Sequence, residues 1–213
     1  MNAKTLRVLL VDDHAVVRAG FRRLLEQRGR IQIVAEAGDG EEAYARFLAL
    51  APDVVVLDLS MSGTSGLEFI RRALARDAGA RVLVFSMHED PALAERALLL
   101  GARGYVTKSS APEVLAEAVA EVAAGRIYLS ADIARALALL KLAGDDHPMH
   151  RLSAREFEIF RLLVKGRTSG EIARILKLSA KTVANYHSLI KHKLGVDRDV
   201  ELVHVALKHR LLL

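Results

Sequence analysis

Five polar side chains come directly after, or close behind, short apolar runs in the first half of the chain. They are Asp12, Asp13, Asp58, Ser86 and Lys108. Taken singly, an Asp after a strand is often a helix cap, and a Lys there is usually a surface residue. If the runs are neighbouring parallel strands, however, all five side chains meet at one edge of a sheet, where open α/β sheets bind ligands.

Such a group of residues can carry out phosphoryl chemistry. Three adjacent carboxylates repel one another, and a hard cation with oxygen ligands, Mg²⁺ above all, relieves that repulsion. A carboxylate beside the ion is a candidate nucleophile toward phosphorus, which would give an aspartyl phosphate. The ion and Lys108 would offset charge on the transferring phosphoryl group, and Ser86 could donate a hydrogen bond to its oxygens.

Apolar runs rich in Val, Ile and Leu alternate with segments of helical spacing over the first 125 residues. The predicted strands are Leu6–Val11, Ile31–Ala35, Val54–Leu57, Val82–Phe85 and Gly104–Val106. The predicted helices are Val16–Arg28, Glu41–Leu50, Gly66–Arg76, Pro91–Leu100 and Pro112–Ala124. Continuous apolar strands separated by single helices predict a doubly wound α/β domain with a five-stranded parallel sheet.

The pattern changes after Gly125, where no further strand is predicted. Ser130–Ala143 has the spacing of one more helix, and the polar segment Gly144–Pro148 that follows it ends the helical pattern. Four helical segments follow, two of which begin with a capping-box pattern. We therefore predict an α/β domain at residues 1–125, a linker with a helix at 126–148 and an all-α domain at 149–213.

The charge of the chain is concentrated at its carboxyl-terminal end. Residues 148–213 carry 13 Lys/Arg against 6 Asp/Glu, whereas residues 1–147 carry 18 against 20. This asymmetry favours a polyanion as the partner of the second domain, although a solvated lysine-rich surface also accounts for charge alone. The absence of cysteine excludes disulfides and thiolate metal sites. With no signal peptide and no apolar stretch of membrane length, we expect a cytoplasmic protein that binds no membrane.

Residues 168–193 contain two helical runs around a short break at Leu178-Ser179, the pattern of a helix-turn-helix. At 100° per residue, Val183, Tyr186, Ile190 and Leu194 fall on an inward face. The outward face, which we predict to enter the DNA major groove, consists of Lys181, Ala184, Asn185, Ser188 and His192. The side chains predicted to contact phosphates are Lys177, Lys191 and Lys193. Any amphipathic helix also needs a solvated polar face, so this helix alone leaves that simpler reading open.

Three segments of the first domain resemble the conserved blocks of receiver domains: Val8–His14, Val54–Met61 and Gly101–Lys108. The resemblance implies a flavodoxin-like strand order, with Asp58 as the phosphoacceptor. It further implies that Mg²⁺ is held by Asp12, Asp13, Asp58 and the main-chain carbonyl of Ser60. Ser86 and Tyr105 occupy the switch positions of that family, with a packed aromatic residue on an edge strand as the alternative for Tyr105.

The second domain closely resembles the LuxR-type helix-turn-helix domain, through Leu152–Glu156, Gly166–Ala173, Leu178–Val183 and Lys193–Val196. A receiver joined to this domain is typical of NarL/FixJ-class response regulators. The resemblance implies a sensor histidine kinase, double-stranded DNA and a homodimer as partners. An apolar face on the last helix is a candidate for pairing, although closing the four-helix core accounts for some of its residues. The face consists of Val200, Leu202, Val203, Ala206, Leu207 and Leu211.

The chain departs from the family pattern at three positions: Ser62, where proline is usual, and Gly170 and Tyr186, close to the predicted DNA side. An alternative function, a Mg²⁺-dependent phosphatase with an aspartate nucleophile, requires an acid two residues after Asp58, where Ser60 stands. A receiver that acts as a docking module without phosphorylation remains possible on the sequence, because Ser62 leaves the loop after Asp58 freer than proline would.

Overall fold

The computed structural model describes residues 5–27, 30–61, 66–110, 112–142, 148–176 and 178–208. The chain divides into two compact units, one ending at Leu137 and the other beginning at Ala138. In the part of the chain so described, no helix combines the length and the apolar character needed to cross a membrane.

Strands and helices alternate from Leu6 to Leu142, so the last helix of this series continues past Leu137, where the first unit ends. The strands are β1 Leu6–Val11, β2 Ile31–Ala37, β3 Val54–Leu57, β4 Val82–Ser86, β5 Gly104–Thr107 and β6 Tyr128–Leu129. The helices are α1 Ala15–Gln27, α2 Gly40–Leu50, α3 Gly66–Arg76, α4 Pro91–Leu99, α5 Pro112–Ala123 and α6 Ala131–Leu142. The predicted strands, helices and linker helix are confirmed, with ends that differ by one or two residues.

All strands are parallel, in the order β2-β1-β3-β4-β5-β6. The flavodoxin-like order is therefore confirmed, but the five-stranded sheet and the strand-free region after Gly125 are wrong. β6 was missed because it has only two residues, both half-buried, and so shows no apolar run. Gly104 lets it approach β5, since a Cβ there would lie 2.8 Å from the Tyr128 carbonyl oxygen.

The core of the first unit is built on the central strands, whose continuous apolar sequence fits burial on both faces. Every residue of β3, β4 and β5 is buried. On one face, Leu25 of α1 and Leu115 of α5 join a cluster with Val56 and Phe85. Burying a Leu or Phe side chain contributes about 1.5–3 kcal/mol, so these helices hold the sheet, and with it the strand ends, in place.

The second unit contains a short 3₁₀ helix at Pro148–Arg151 and the helices α7 Ala154–Val164, α8 Ser169–Ile175, α9 Ala180–Leu194 and α10 Asp199–Lys208. Both predicted capping boxes are present: Ser153 and Glu156 bond each other's backbone N–H at the start of α7, as do Thr168 and Glu171 at α8. Ser179, in the predicted break before α9, caps that helix. The four predicted helices are therefore confirmed.

Candidate functional site

Asp12 and Asp58 lie side by side because β1 and β3 are parallel and in register. Val11 at the end of β1 pairs with Leu57 at the end of β3, and the Asp58 N–H donates to the Val11 carbonyl at 2.9 Å. Both acidic residues are nearly inaccessible, with 3% of Asp12 and 2% of Asp58 exposed. The structure therefore brings this pair together at one sheet edge, as the sequence predicted.

Lys108, just beyond β5, bridges the two carboxylates. Its Nζ lies 2.5 Å from Asp12 Oδ2 and 2.7 Å from Asp58 Oδ2. Burial on its own lowers the pKa of Lys108, but the hydrogen bonds and charges of Asp12 and Asp58 outweigh it and raise the pKa above the ordinary lysine value. Lys108 is therefore a fixed positive charge within a buried acidic site.

Asp13 and His14 complete the acidic group at its exposed side. Ligand atoms of Asp12, Asp13, His14 and Asp58 all lie within 4.8 Å of one another. The His14 Nδ1 lies 2.8 Å from Asp13 Oδ1 and 3.3 Å from Asp12 Oδ1. Carboxylate oxygens are the ligands that Mg²⁺ prefers, so the three aspartates fit that ion better than a metal that favours nitrogen.

The loop after Asp58 folds back onto the acceptor. The Ser60 N–H donates to Asp58 Oδ1 at 3.0 Å, so both carboxylate oxygens of Asp58 are engaged. A Cβ at Gly66, where α3 begins, would lie 2.8 Å from the Asp58 carbonyl oxygen, so only glycine allows this close approach. The metal-ligand role of the Ser60 carbonyl stays a prediction, and Ser62 lies outside the described residues.

Ser86 and Tyr105 are both fully buried and both bind the backbone of His88. The Ser86 Oγ accepts from the His88 N–H at 3.3 Å, and the Tyr105 hydroxyl donates to the His88 carbonyl at 2.9 Å. The segment between β4 and α4 is thus held by the two residues at the predicted switch positions. Their switching role itself stays a prediction.

The basic helix α9 presents the face that the sequence indicated. Val183, Ile190 and Leu194 are buried, and Tyr186 is half-buried. The outward residues are all exposed: Lys181, Ala184, Asn185, Ser188 and His192. Their contact with DNA is a prediction that the position on this face supports.

Two of the lysines predicted to contact DNA phosphates are paired with carboxylates, unlike the exposed residues of the outward face. Lys193 Nζ lies 2.8 and 2.7 Å from the two carboxylate oxygens of the buried Glu156. Lys191 Nζ lies 3.3 Å from Asp199 Oδ1. Both lysines therefore have structural partners inside the second unit, and Lys177 lies outside the described residues.

Two family models match the chain, one for each unit. The response regulator receiver domain matches residues 8–120, and the luxR family of bacterial regulatory proteins matches residues 150–206. The chain belongs to the response regulator family. Its receiver and LuxR-type DNA-binding domains are the pair found in NarL/FixJ-class regulators, as predicted, and a two-component transcriptional regulator is the function that this pair defines.

Relatives match this response regulator over nearly its whole length. Response regulator UvrY of Escherichia coli is 39% identical over 208 residues, which cover 97% of this chain and 95% of UvrY. A structure of RcsB from Salmonella enterica serovar Typhimurium, bound to promoter rprA with the phosphomimetic BeF3-, has a TM-score of 0.70 at 29% identity, covering 95% of this chain and 98% of that one. Another, of two RcsB dimers bound to two parallel DNAs, has a TM-score of 0.61, also at 29% identity and with the same coverage.

Two contacts of the response regulator escaped the sequence reasoning. The position of His14 directly after the Asp12-Asp13 pair was the only signal for its place beside their carboxylates. The Glu156–Lys193 ion pair joins residues 37 positions apart. Glu156 was identified as a capping residue, and that local pattern carries no information about a lysine on another helix.

Proposed function

We propose that a sensor histidine kinase transfers a phosphoryl group to Asp58 of this response regulator, and that this transfer controls DNA binding. The observation that carries the proposal is the buried cluster in which Lys108 bridges Asp12 and Asp58. Asp58 is held at both oxygens, by the Lys108 ammonium and the Ser60 N–H. A carboxylate oriented in this way is prepared for in-line attack on phosphorus.

Mg²⁺ is the cofactor that the proposal requires. We assign it to the carboxylates of Asp12, Asp13 and Asp58, with the Ser60 main-chain carbonyl as a further ligand. The oxygen-rich donor set, with ligand atoms within 4.8 Å of one another, fits this ion. When bound, Mg²⁺ offsets negative charge on the acceptor and on the phosphoryl oxygens.

Asp58 and Lys108 perform the other steps of phosphoryl transfer. An Asp58 carboxylate oxygen forms the new bond to phosphorus as the bond from phosphorus to the kinase histidine nitrogen breaks. The Lys108 ammonium, already 2.7 Å from Asp58 Oδ2, offsets the charge that the phosphoryl group brings. Because its pKa is raised, Lys108 keeps its proton throughout the neutral pH range.

Ser86 and Tyr105 are proposed to convert the modification into a change of conformation. The Ser86 oxygen accepts from the His88 N–H, which leaves the Ser86 O–H free to donate to a phosphoryl oxygen on Asp58. A Ser86 side chain drawn toward the phosphoryl group would shift the His88 backbone with it. The bonds of Ser86 and Tyr105 to His88 connect both side chains to one segment, so a shift of that segment changes the environment of the buried ring. The phosphoryl group thus favours one of two states of the receiver.

The second unit is proposed to bind double-stranded DNA through α9, as a dimer. Lys181 and Asn185 are exposed at the start and middle of the helix, where recognition helices meet base edges. The proposal draws support from RcsB, whose structures contain a promoter and RcsB dimers on DNA. On α10, Val200 and Leu207 remain 60% and 57% exposed, which leaves an apolar stripe for pairing.

Incubation with acetyl phosphate and Mg²⁺ tests the acceptor assignment. We expect a single added phosphoryl group by intact-protein mass spectrometry, and none on Asp58→Asn. The control is Asp77→Asn, which alters an exposed aspartate just after α3 and should be labelled like the wild type. Labelling of Asp58→Asn to the wild-type extent would contradict the proposal.

A further inference from the structure

Arg18, on the first turns of α1, reaches across to the end of β1. Its Nη1 donates to the main-chain carbonyl of Asp12 at 2.6 Å, and its Nε donates to Glu36 Oε2 at 3.1 Å. The side chain is 19% exposed. The carbonyl that it binds belongs to the peptide that joins Asp12 to Asp13, the two adjacent carboxylates proposed to hold Mg²⁺.

The surroundings of Arg18 hold its guanidinium group in this position. The Asp12 N–H donates to the Ala37 carbonyl at 3.1 Å, which fixes the other side of that residue to β2. A Cβ at Gly38 would lie 3.7 Å from Arg18 Nη1, so the guanidinium packs closely against that turn. The Val11–Asp12 peptide is thus held by β2 and the Asp12–Asp13 peptide that follows it by Arg18 of α1.

Glu36 supplies the negative charge that faces Arg18 and Arg22. Burial on its own raises the pKa of Glu36, but hydrogen bonds and charge from Arg22 and Arg18 outweigh it and lower the pKa below the ordinary glutamate value. Arg22 Nη1 lies 3.0 Å from Glu36 Oε1, one turn further along α1. Arg22 therefore shares the carboxylate partner of Arg18. Among the described residues it bonds Glu36 and Glu26, and it does not bond Asp12.

We infer that Arg18 is a positioning residue for Mg²⁺ binding: by holding the Asp12–Asp13 peptide it sets the direction of the Asp13 carboxylate relative to Asp12 and Asp58. The inference rests on the proposed Mg²⁺ site. Hydrogen bonds from a charged donor are the stronger ones, so this bond can fix a peptide plane at the rim of the sheet. Groups that orient metal ligands in this way typically change metal affinity about 10–100-fold when they are removed.

The direction in which Mg²⁺ affinity changes distinguishes a positioning role of Arg18 from a purely electrostatic one. Removing a positive charge near a cation site weakens repulsion, so charge alone predicts tighter Mg²⁺ binding in Arg18→Met and also in Arg22→Met. A positioning role predicts weaker binding for Arg18→Met, because the Asp12–Asp13 peptide is released. Arg22→Met is the matched control, with the same charge change on the same helix and against the same glutamate.

Titration calorimetry of the full chain with MgCl₂ at constant ionic strength measures the difference. We expect Arg18→Met to bind Mg²⁺ about 10–100-fold more weakly than the wild type, and Arg22→Met to stay within about 2-fold of it or bind slightly more tightly. Arg18→Lys, which keeps a donor for the Asp12 carbonyl, should recover part of the loss. Saturating Mg²⁺ should restore labelling of Arg18→Met by acetyl phosphate, because the acceptor and Lys108 are intact.

Equal effects in Arg18→Met and Arg22→Met, or tighter binding by Arg18→Met, would overturn the inference and leave the proposed function standing. A wild-type protein that binds no Mg²⁺ would instead overturn the proposed metal site, and the inference with it. If Arg18→Met does not fold, the comparison of Arg18→Ala with Arg22→Ala decides, because neither side chain can donate to the Asp12 carbonyl: a loss of Mg²⁺ affinity confined to Arg18→Ala supports the positioning role, and equal affinities refute it.

Discussion

Lys108 bridges two buried carboxylates and offsets part of their charge, so its removal should change stability as well as signalling. In Lys108→Ala, Asp12 and Asp58 face each other without the ammonium group that bridges them. Breaking a buried ion pair costs about 3–5 kcal/mol. We expect a loss of that order in the free energy of unfolding, measured by urea titration in EDTA.

Mg²⁺ provides the control for this prediction. The ion replaces the missing positive charge, so it should stabilise Lys108→Ala more than the wild type. The variant should still bind Mg²⁺, while its phosphorylation should no longer affect DNA binding. Equal stabilisation of both proteins by Mg²⁺ would show that Lys108 does not balance the acidic cluster.

Lys193 pairs with the buried Glu156, so replacing this lysine should lower the stability of the second unit. Burial raises the pKa of Glu156, but its bonds to Lys193 and Ser153 outweigh burial and lower the pKa below the ordinary glutamate value. Lys193→Met should destabilise the second unit by about 1–3 kcal/mol at neutral pH, because a buried carboxylate loses its partner. Amide exchange of α7 and α9 measures the loss.

The pH dependence of that loss follows from the direction of the shift. A carboxylate with a lowered folded-state pKa contributes stability above its unfolded value, and the contribution disappears as pH falls through the folded pKa. The difference between Lys193→Met and the wild type should therefore shrink in acid. A difference that stays constant below the ordinary glutamate pKa would argue against the ion pair as its source.

At the scale of elements, β6 and the first part of α6 extend the receiver beyond the predicted boundary at residue 125. Ile133 and Leu137 of α6 are buried, and Thr107 Oγ1 donates to Asp132 Oδ2 at 2.9 Å. A fragment of residues 1–142 should exceed one of residues 1–125 in unfolding free energy by about 3 kcal/mol, from the two apolar side chains. Matching urea midpoints would show that α6 adds nothing to the receiver.

The orientation of α9 is tested by one substitution on its outward face. Losing a good base contact costs about 1–3 kcal/mol and relaxes preference at one base pair. Asn185→Ala should therefore lower the ratio of specific to nonspecific affinity, measured on a selected DNA site and on its scrambled version. A variant that weakens both DNAs equally would show that Asn185 does not meet a base edge.

The elements themselves show what sequence reasoning can and cannot predict. Long apolar strands such as β1 and β4 carry their burial in their composition, and the polar residues at their ends identify the site. The two-residue β6 has no such pattern, because its pairing depends on Gly104 and the path of the chain. Contacts between residues far apart in sequence, such as Lys193 with Glu156, follow from packing and leave no mark on local spacing.

In the whole molecule, the proposed phosphoryl site lies in one unit and the proposed DNA-binding helix in the other. The two sites lie in separate compact units, so their coupling is a difference in free energy between states of the chain. Ser86, Tyr105 and the His88 segment are the proposed source of that difference in the receiver. Coupling free energies of this kind typically change affinity about 5- to 150-fold.

The most direct test is the dissociation constant for a DNA site selected from a random pool, measured with and without acetyl phosphate at constant Mg²⁺ and salt. We expect phosphorylation to tighten wild-type DNA binding about 5- to 150-fold and to leave Asp58→Asn unchanged, with Asp77→Asn behaving like the wild type. An unchanged dissociation constant for a fully phosphorylated wild-type protein, or equal tightening in Asp58→Asn, would contradict the central claim that Asp58 controls DNA binding.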